Sequence, residues 1–79
     1  METEATYNEH LIRMANQIAT FFGSMPEREE AMRDLATHLR KFWEPRMRSS
    51  FLAQIDAGHI EGLHPLLLAT VQAHRALIC

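Results

Sequence analysis

The sequence predicts an all-α protein, a small bundle of about four helices of unequal length. Four segments repeat their apolar residues with the period of an α-helix. Glycine and proline separate these segments at residues 23–26, 44–45 and 58–65. The length of 79 residues leaves room for one domain with a thin core. We therefore predict a single helical domain over residues 1–79, with residues 1–6 as a disordered acidic N-terminus.

The first helix is predicted from Tyr7 to Phe22. Thr6 or Asn8 is a suitable N-cap, and Gly23 is a suitable stop at the C-terminus. The apolar residues of this segment cover an arc of about 180°. Packing against one core needs a narrower arc, so we expect this helix to make contacts on two sides.

The second helix is predicted from Pro26 to Trp43. Proline suits the first turn, and the acidic residues that follow it favour the positive end of the helix dipole. Arg40 and Lys41 lie near the other end, where positive charge is favourable. An apolar stripe of about 140° includes Phe42 and Trp43, and this width is typical of a helix with one face toward the core.

Proline and glycine residues predict where the third and fourth helices begin and where the third one ends. Pro45 disfavours helix at the preceding residue and suits the first turn of a new helix, predicted from Pro45 to Ala57 and stopped by Gly58. The fourth helix is predicted from His64-Pro65 to Leu77 or Ile78, and it is apolar on nearly every side. Surplus apolar surface on the first and last helices predicts that the isolated chain pairs with itself or is marginally stable.

The corner between the second and third helices has the sequence HLRKFWEPRMR, residues 38–48. Trp43 is interpreted as a core residue, and with Phe42 and Pro45 it forms a structural corner between the two helices. Arg48 projects from the apolar side of the third helix. Either a snorkelling arginine or an ion pair with a partner's carboxylate explains this position.

The basic residues of this corner are the main candidates for contact with a partner protein. The alternative is that they form a solvated helix end. On the first view, Arg46→Ala and Arg48→Ala would leave the isolated chain folded and weaken its complex. The hypothesised partner-binding residues are Arg40, Arg46, Met47, Arg48 and His74.

The sequence predicts neither a metal site nor a catalytic site. His59, Glu61 and His64 share one loop, but no two histidines have the i, i+4 spacing within one helix that suits zinc. His74 is better explained as a hydrogen-bonded histidine in a core or interface. Cys79 has no basic cluster beside it to activate its thiol. No nucleophile motif or glycine-rich phosphate loop occurs, so we expect no cofactor and no chemistry in this chain alone.

Charge and hydropathy limit the partners. The net charge of −2 argues against nucleic acid as a partner, and the third helix is too short and apolar for a recognition helix. A small nucleic-acid-binding or regulatory interaction module remains the alternative, to be tested by salt-dependent DNA affinity. No apolar run reaches the roughly 18 residues that a membrane span needs. We expect a cytoplasmic protein without membrane contact.

Three runs resemble a known family: HLIRMANQIATFF (residues 10–22), ATHLRKFWEPRMR (36–48), and Gly62, Leu63 and Pro65. They are similar to the delta subunit of NAD-dependent molybdenum formate dehydrogenase, over roughly residues 9–76. The resemblance implies a non-catalytic accessory subunit of a cytoplasmic complex that oxidises formate to CO₂. It also implies binding to the large catalytic subunit and a role in assembly, maturation or stability. The molybdenum–bis-pterin, iron–sulfur clusters and FMN would belong to the other subunits.

Overall fold

A computed structural model describes the backbone of residues 3–79 and the side chains of residues 7–79. Its four helices are α1 (Thr3–Phe22), α2 (Arg28–Phe42), α3 (Pro45–Asp56) and α4 (Pro65–Ile78), and the described residues form no strand. The prediction of a small all-α fold with four helices of unequal length is confirmed.

Helix α1 begins four residues earlier than predicted. It includes Thr6 and Asn8, so neither residue is an N-cap. Residues 3–6 belong to this helix, and residues 1–2 lie outside the described residues. The early start is physically reasonable, because this segment lacks glycine and proline. The predicted stop is correct, since the Gly23 amide donates to the Ala19 carbonyl at 2.7 Å.

Helix α2 begins two residues later than predicted, at Arg28 instead of Pro26. Glu27 is the N-cap, and its side-chain carboxylate accepts hydrogen bonds from the amides of Glu29 at 3.2 Å and Glu30 at 3.4 Å. A carboxylate in this position satisfies two of the free amides at the helix start. Pro26 therefore precedes the cap and is not part of the first turn.

The break between α2 and α3 lies one residue before the predicted end of α2. Helix α2 ends at Phe42, and Trp43 is its extended C-cap. Glu44 is also extended, with φ −65° and ψ 154°, and Pro45 is the first residue of α3. This agrees with the steric effect of proline on the residue before it. At its other end α3 stops at Asp56, one residue before the predicted Ala57, which is its C-cap.

The core draws on all four helices. Helix α1 contacts each of the other three, as its wide apolar arc predicted, and α2 packs most extensively against α4. In α1 the buried positions recur every four residues, at Leu11, Ala15 and Ala19. Two of these three residues are alanines, whose small side chains permit close approach of the helices. The other buried apolar residues are Ala31, Leu35, Ala36, Leu39, Trp43, Phe51, Leu52, Leu66, Leu67, Val71 and Ile78.

Candidate interaction surface

The two apolar residues at the end of α2 have opposite environments. Trp43 is 5% exposed, and its ring packs edge-on against Phe51 with the centroids 5.7 Å apart. Phe42 is 71% exposed, so its predicted place in the core-facing stripe of α2 is wrong. The reason is local geometry: adjacent residues on a helix point about 100° apart, and the core lies on the side of Trp43.

Arg48 forms hydrogen bonds within the fold. From the first turn of α3, its Nη1 donates to the carbonyl oxygens of Arg40 at 2.7 Å and Trp43 at 2.8 Å. The last carbonyls of a helix lack intrahelical donors and form the negative end of its dipole. The half-buried guanidinium of Arg48 thus caps the C-terminus of α2 and links it to the first turn of α3.

The other basic residues of the corner differ in their contacts. Arg40 donates from Nη1 to the main-chain oxygen of Cys79 at 2.9 Å, which ties the end of α2 to the end of α4. Lys41 and Arg46 are exposed, while Met47 is half-buried against the core. Among the basic residues of the corner, Lys41 and Arg46 are therefore the better placed to meet a partner.

His74 links α4 to the start of α2. Its Nε2 lies 2.8 Å from Oε2 of Glu29, and that carboxylate also accepts from Nε of Arg33 at 3.2 Å. The Arg33 hydrogen bond, together with the hydrogen bond and charge of His74, lowers the pKa of Glu29. The backbone of His74 departs from helical geometry, with φ −132° and ψ 35°, so α4 is kinked at this residue.

A similar ion pair joins α4 to the end of α3. Nη1 and Nη2 of Arg75 donate to the two carboxylate oxygens of Asp56 at 2.9 Å and 2.7 Å. This two-point hydrogen bonding is the main cause of a lowered Asp56 pKa. Both carboxylate oxygens are engaged, so the two side chains form a bidentate pair between α3 and α4.

The structure brings together four aromatic side chains that the sequence analysis did not group. We call Phe21, Phe22, His38 and Phe42 the aromatic patch. Neighbouring rings have centroid separations of 5.1 Å for Phe21 and Phe22, 5.8 Å for Phe22 and His38, and 4.7 Å for His38 and Phe42. Phe21 and Phe42 are each 71% exposed, whereas Phe22 and His38 are half-buried. The patch therefore presents two exposed rings on a partly buried aromatic base.

A groove of about 270 Å³ lies beside the patch, and Gln17 and Ile18 complete its lining. The wide apolar arc of α1 was the sequence signal for this surface. That arc indicated more apolar surface than one core can bury, but it could not identify Phe21 as the exposed member.

Asn16 is another residue whose role was not predicted from the sequence. From α1, its Nδ2 donates to the Gly62 carbonyl at 2.8 Å, and its Oδ1 accepts from the His64 amide at 2.9 Å. Gly62 has φ +78°, a conformation that glycine adopts without a steric penalty. Asn16 therefore fixes the connection between α3 and α4 through main-chain groups that only the folded chain brings near it.

His64 has a structural role at the start of α4. It is the N-cap of the helix, and its Nδ1 accepts a hydrogen bond from the Leu66 amide at 3.1 Å. Within the described part of the chain, no group of three or more His, Cys, Asp or Glu residues could hold a metal ion.

A second concavity, of about 510 Å³, lies between the first turns of α1 and the α3–α4 connection. Its lining includes Glu9, His59, Glu61 and the buried Gln54. Five of its seven lining residues have polar or charged side chains, whereas the aromatic patch exposes two large rings. Aromatic side chains contribute strongly at the centres of protein interfaces, so the aromatic patch is the better candidate for a protein contact.

Four helices around a thin core, with an exposed aromatic patch beside a basic corner, define a small helical protein with a surface suited to a protein partner. Residues 10–71 match the family described as "NADH-dependant formate dehydrogenase delta subunit FdsD". The chain belongs to this family, which confirms the resemblance noted in its sequence. The matched region contains Asn16, the aromatic patch and the α2–α3 corner. No curated protein and no solved structure matches the chain.

Across residues 3–79, no helix combines the length and the apolar character needed to cross a membrane.

Proposed function

We propose that this chain is a non-catalytic accessory subunit of a cytoplasmic NAD-dependent formate dehydrogenase, and that it binds the large catalytic subunit and supports assembly of the complex. Membership of the delta-subunit family over residues 10–71 is the observation that carries this proposal. The exposed aromatic patch supports it, because exposed rings of this size are typical of surfaces that meet another protein.

The chemistry of the complex is assigned to the other subunits. Iron–sulfur clusters need several cysteines, and this chain has only Cys79. The described residues also lack a metal-binding group of three or more side chains. These residues do not fit a resident iron–sulfur cluster. We propose that this cluster lies in the other subunits, together with the molybdenum–bis-pterin and FMN that the family resemblance implies.

The partner-binding residues proposed from the sequence now fall into two groups. Arg46 is exposed and is proposed to contact the partner directly. Arg40, Arg48 and His74 form hydrogen bonds within the fold, and Met47 packs against the core. These four residues are proposed to act mainly by holding the α2–α3 corner and α4 in position.

The test is to produce the formate dehydrogenase subunits with and without this chain. Without it, the yield of complete complex should fall, together with its molybdenum and iron content per large subunit. The purified chain alone should show no formate oxidation. Equal yield, metal content and activity in both preparations would contradict an assembly role.

A further inference from the structure

We propose that the aromatic patch is the docking site for an apolar segment of another formate dehydrogenase subunit, and that this segment carries acidic residues beside its apolar side chains. The proposal rests on the proposed function and specifies the surface used and the chemistry of its partner.

The exposure of the patch indicates a binding surface. Phe21 and Phe42 are each 71% exposed, although both come from helices whose other faces supply buried core residues. Single exposed apolar residues are common, but two large rings joined through Phe22 and His38 form a continuous apolar surface. The adjoining groove of about 270 Å³ is large enough for a partner side chain to enter.

The patch is also held in place before binding. Phe42 immediately precedes Trp43, which is buried in the core, and the carbonyl of Trp43 is capped by Arg48. Phe21 lies in the last turn of α1, and the Ser24 hydroxyl donates to its carbonyl at 2.8 Å. Rings on an ordered backbone lose less conformational entropy on docking than rings on a mobile loop.

Charge identifies the type of partner. Residues 38–48 contain four basic residues and one acidic residue, in a chain whose net charge is −2. Lys41 and Arg46, on either side of Phe42 in the sequence, are exposed. Asp34 lies one helical turn before His38, so the positive charge is concentrated at the Phe42 end of the patch. Acidic residues flanking an apolar segment would complement this arrangement.

The same charges argue against a second copy of the chain as the occupant. In a two-fold symmetric dimer, the patch of one copy would meet the patch of the other. In a dimer that stacks the Phe42 rings of the two copies on each other, the basic residues around Phe42 would also approach each other, and like charges across an interface are unfavourable. A different subunit with acidic flanks avoids this repulsion.

The first experiment compares Phe21→Ser/Phe42→Ser with Ile60→Ser/Leu77→Ser. The control pair also removes two exposed apolar side chains, which are 42% and 40% exposed and lie outside the patch. Each purified chain is titrated against the remaining formate dehydrogenase subunits, produced without the delta subunit, by biolayer interferometry. The patch variant should bind more weakly by about tenfold or more, and the control by less than about twofold. Both should keep the wild-type circular dichroism spectrum.

The second experiment tests the acidic character of the partner with Lys41→Glu and a matched charge reversal, Arg28→Glu, at the opposite end of α2. Lys41→Glu should slow association by about threefold to tenfold at low salt, and added salt should reduce the difference. Arg28→Glu should leave association unchanged. Faster association of Lys41→Glu would contradict the proposal that the partner segment carries acidic residues.

The outcomes separate this inference from the proposed function. If the wild-type chain does not bind the other subunits, the proposed function fails. If it binds and the patch variant binds equally well, only the docking site is wrong. If the patch variant keeps its affinity but abolishes a dimer of the isolated chain, measured by light scattering, the patch is a self-association surface and the inference is also overturned.

Discussion

Phe42 and Trp43 are neighbours in the sequence with similar apolar character, yet Phe42 is 71% exposed and Trp43 is 5% exposed. Trp43 packs on Phe51 of α3, whereas Phe42 packs on His38 of its own helix. The end of α2 therefore has one side that stabilises the fold and another that presents an aromatic surface. Apolar character alone does not distinguish a core residue from a residue available to a partner.

Arg48 and Arg46 repeat this contrast among the charged residues. Arg48 donates to two carbonyls at the end of α2, while Arg46, two residues earlier, is exposed. Position on α3 accounts for the difference, because the side chain of Arg48 points back toward the end of α2. One arginine is part of the corner, and the other is available for a partner.

The largest effect is expected on the free energy of unfolding, in a comparison of Trp43→Ala with Phe42→Ala. Trp43→Ala should lower the free energy of unfolding by about 3 to 5 kcal/mol, because it leaves a cavity beside Phe51. Phe42→Ala should change it by less than about 0.5 kcal/mol, because the ring is exposed. Urea denaturation of the isolated chains measures both values. Similar losses of unfolding free energy for the two variants would contradict the contrast between a buried Trp43 and an exposed Phe42.

Arg48→Ala should lower the free energy of unfolding by about 1.5 to 3 kcal/mol, since two carbonyls at the end of α2 lose a charged donor. Arg46→Ala should have little effect on stability. Both variants are expected from the sequence alone to leave the isolated chain folded and to weaken its complex; the hydrogen bonds of Arg48 add a loss of stability for Arg48→Ala. Thermal melting of the two purified variants is the measurement, and equal melting temperatures would contradict the capping role of Arg48.

Asn16→Ala tests whether the side of α1 away from the aromatic patch is purely structural. Loss of its hydrogen bonds to Gly62 and His64 should cost about 1 to 2 kcal/mol. Binding to the other subunits should be unchanged when measured well below the melting temperature. Gln17→Ala is the stability control, because Gln17 is exposed. A loss of affinity in folded Asn16→Ala would place the partner contact nearer to the α3–α4 connection.

The smallest expected effect concerns acid stability. The ion pairs of Glu29 and Asp56 lower the pKa of each carboxyl below its ordinary value of 4.5 and 3.8, respectively. Each pair therefore contributes stability above the ordinary pKa, and this contribution disappears as the pH falls through the lowered value. Asp56→Asn should melt slightly below wild type at pH 7, with the difference shrinking toward pH 3. A difference that stays constant with pH would exclude titration of Asp56 as its cause.

Several features of this protein follow from the sequence by itself. Helical periodicity and the breaks near Gly23, Pro45 and Gly58 determined that there are four helices and approximately where each one ends. These signals are local, because proline and glycine restrict or release the backbone wherever they occur. Gly58 illustrates this with φ +88° immediately after the C-cap of α3. The three runs that carry the resemblance were likewise enough to indicate the family.

Only the tertiary structure decided which part of each apolar arc is buried and which polar groups meet. Burial of Trp43 and exposure of Phe42 depend on where α3 lies. The hydrogen bonds of Asn16 reach groups 46 and 48 residues away along the chain. Helical periodicity gives the direction of a side chain relative to its own helix axis, but not the position of the neighbouring helices. For that reason the aromatic patch became visible only when α1 and α2 were placed side by side.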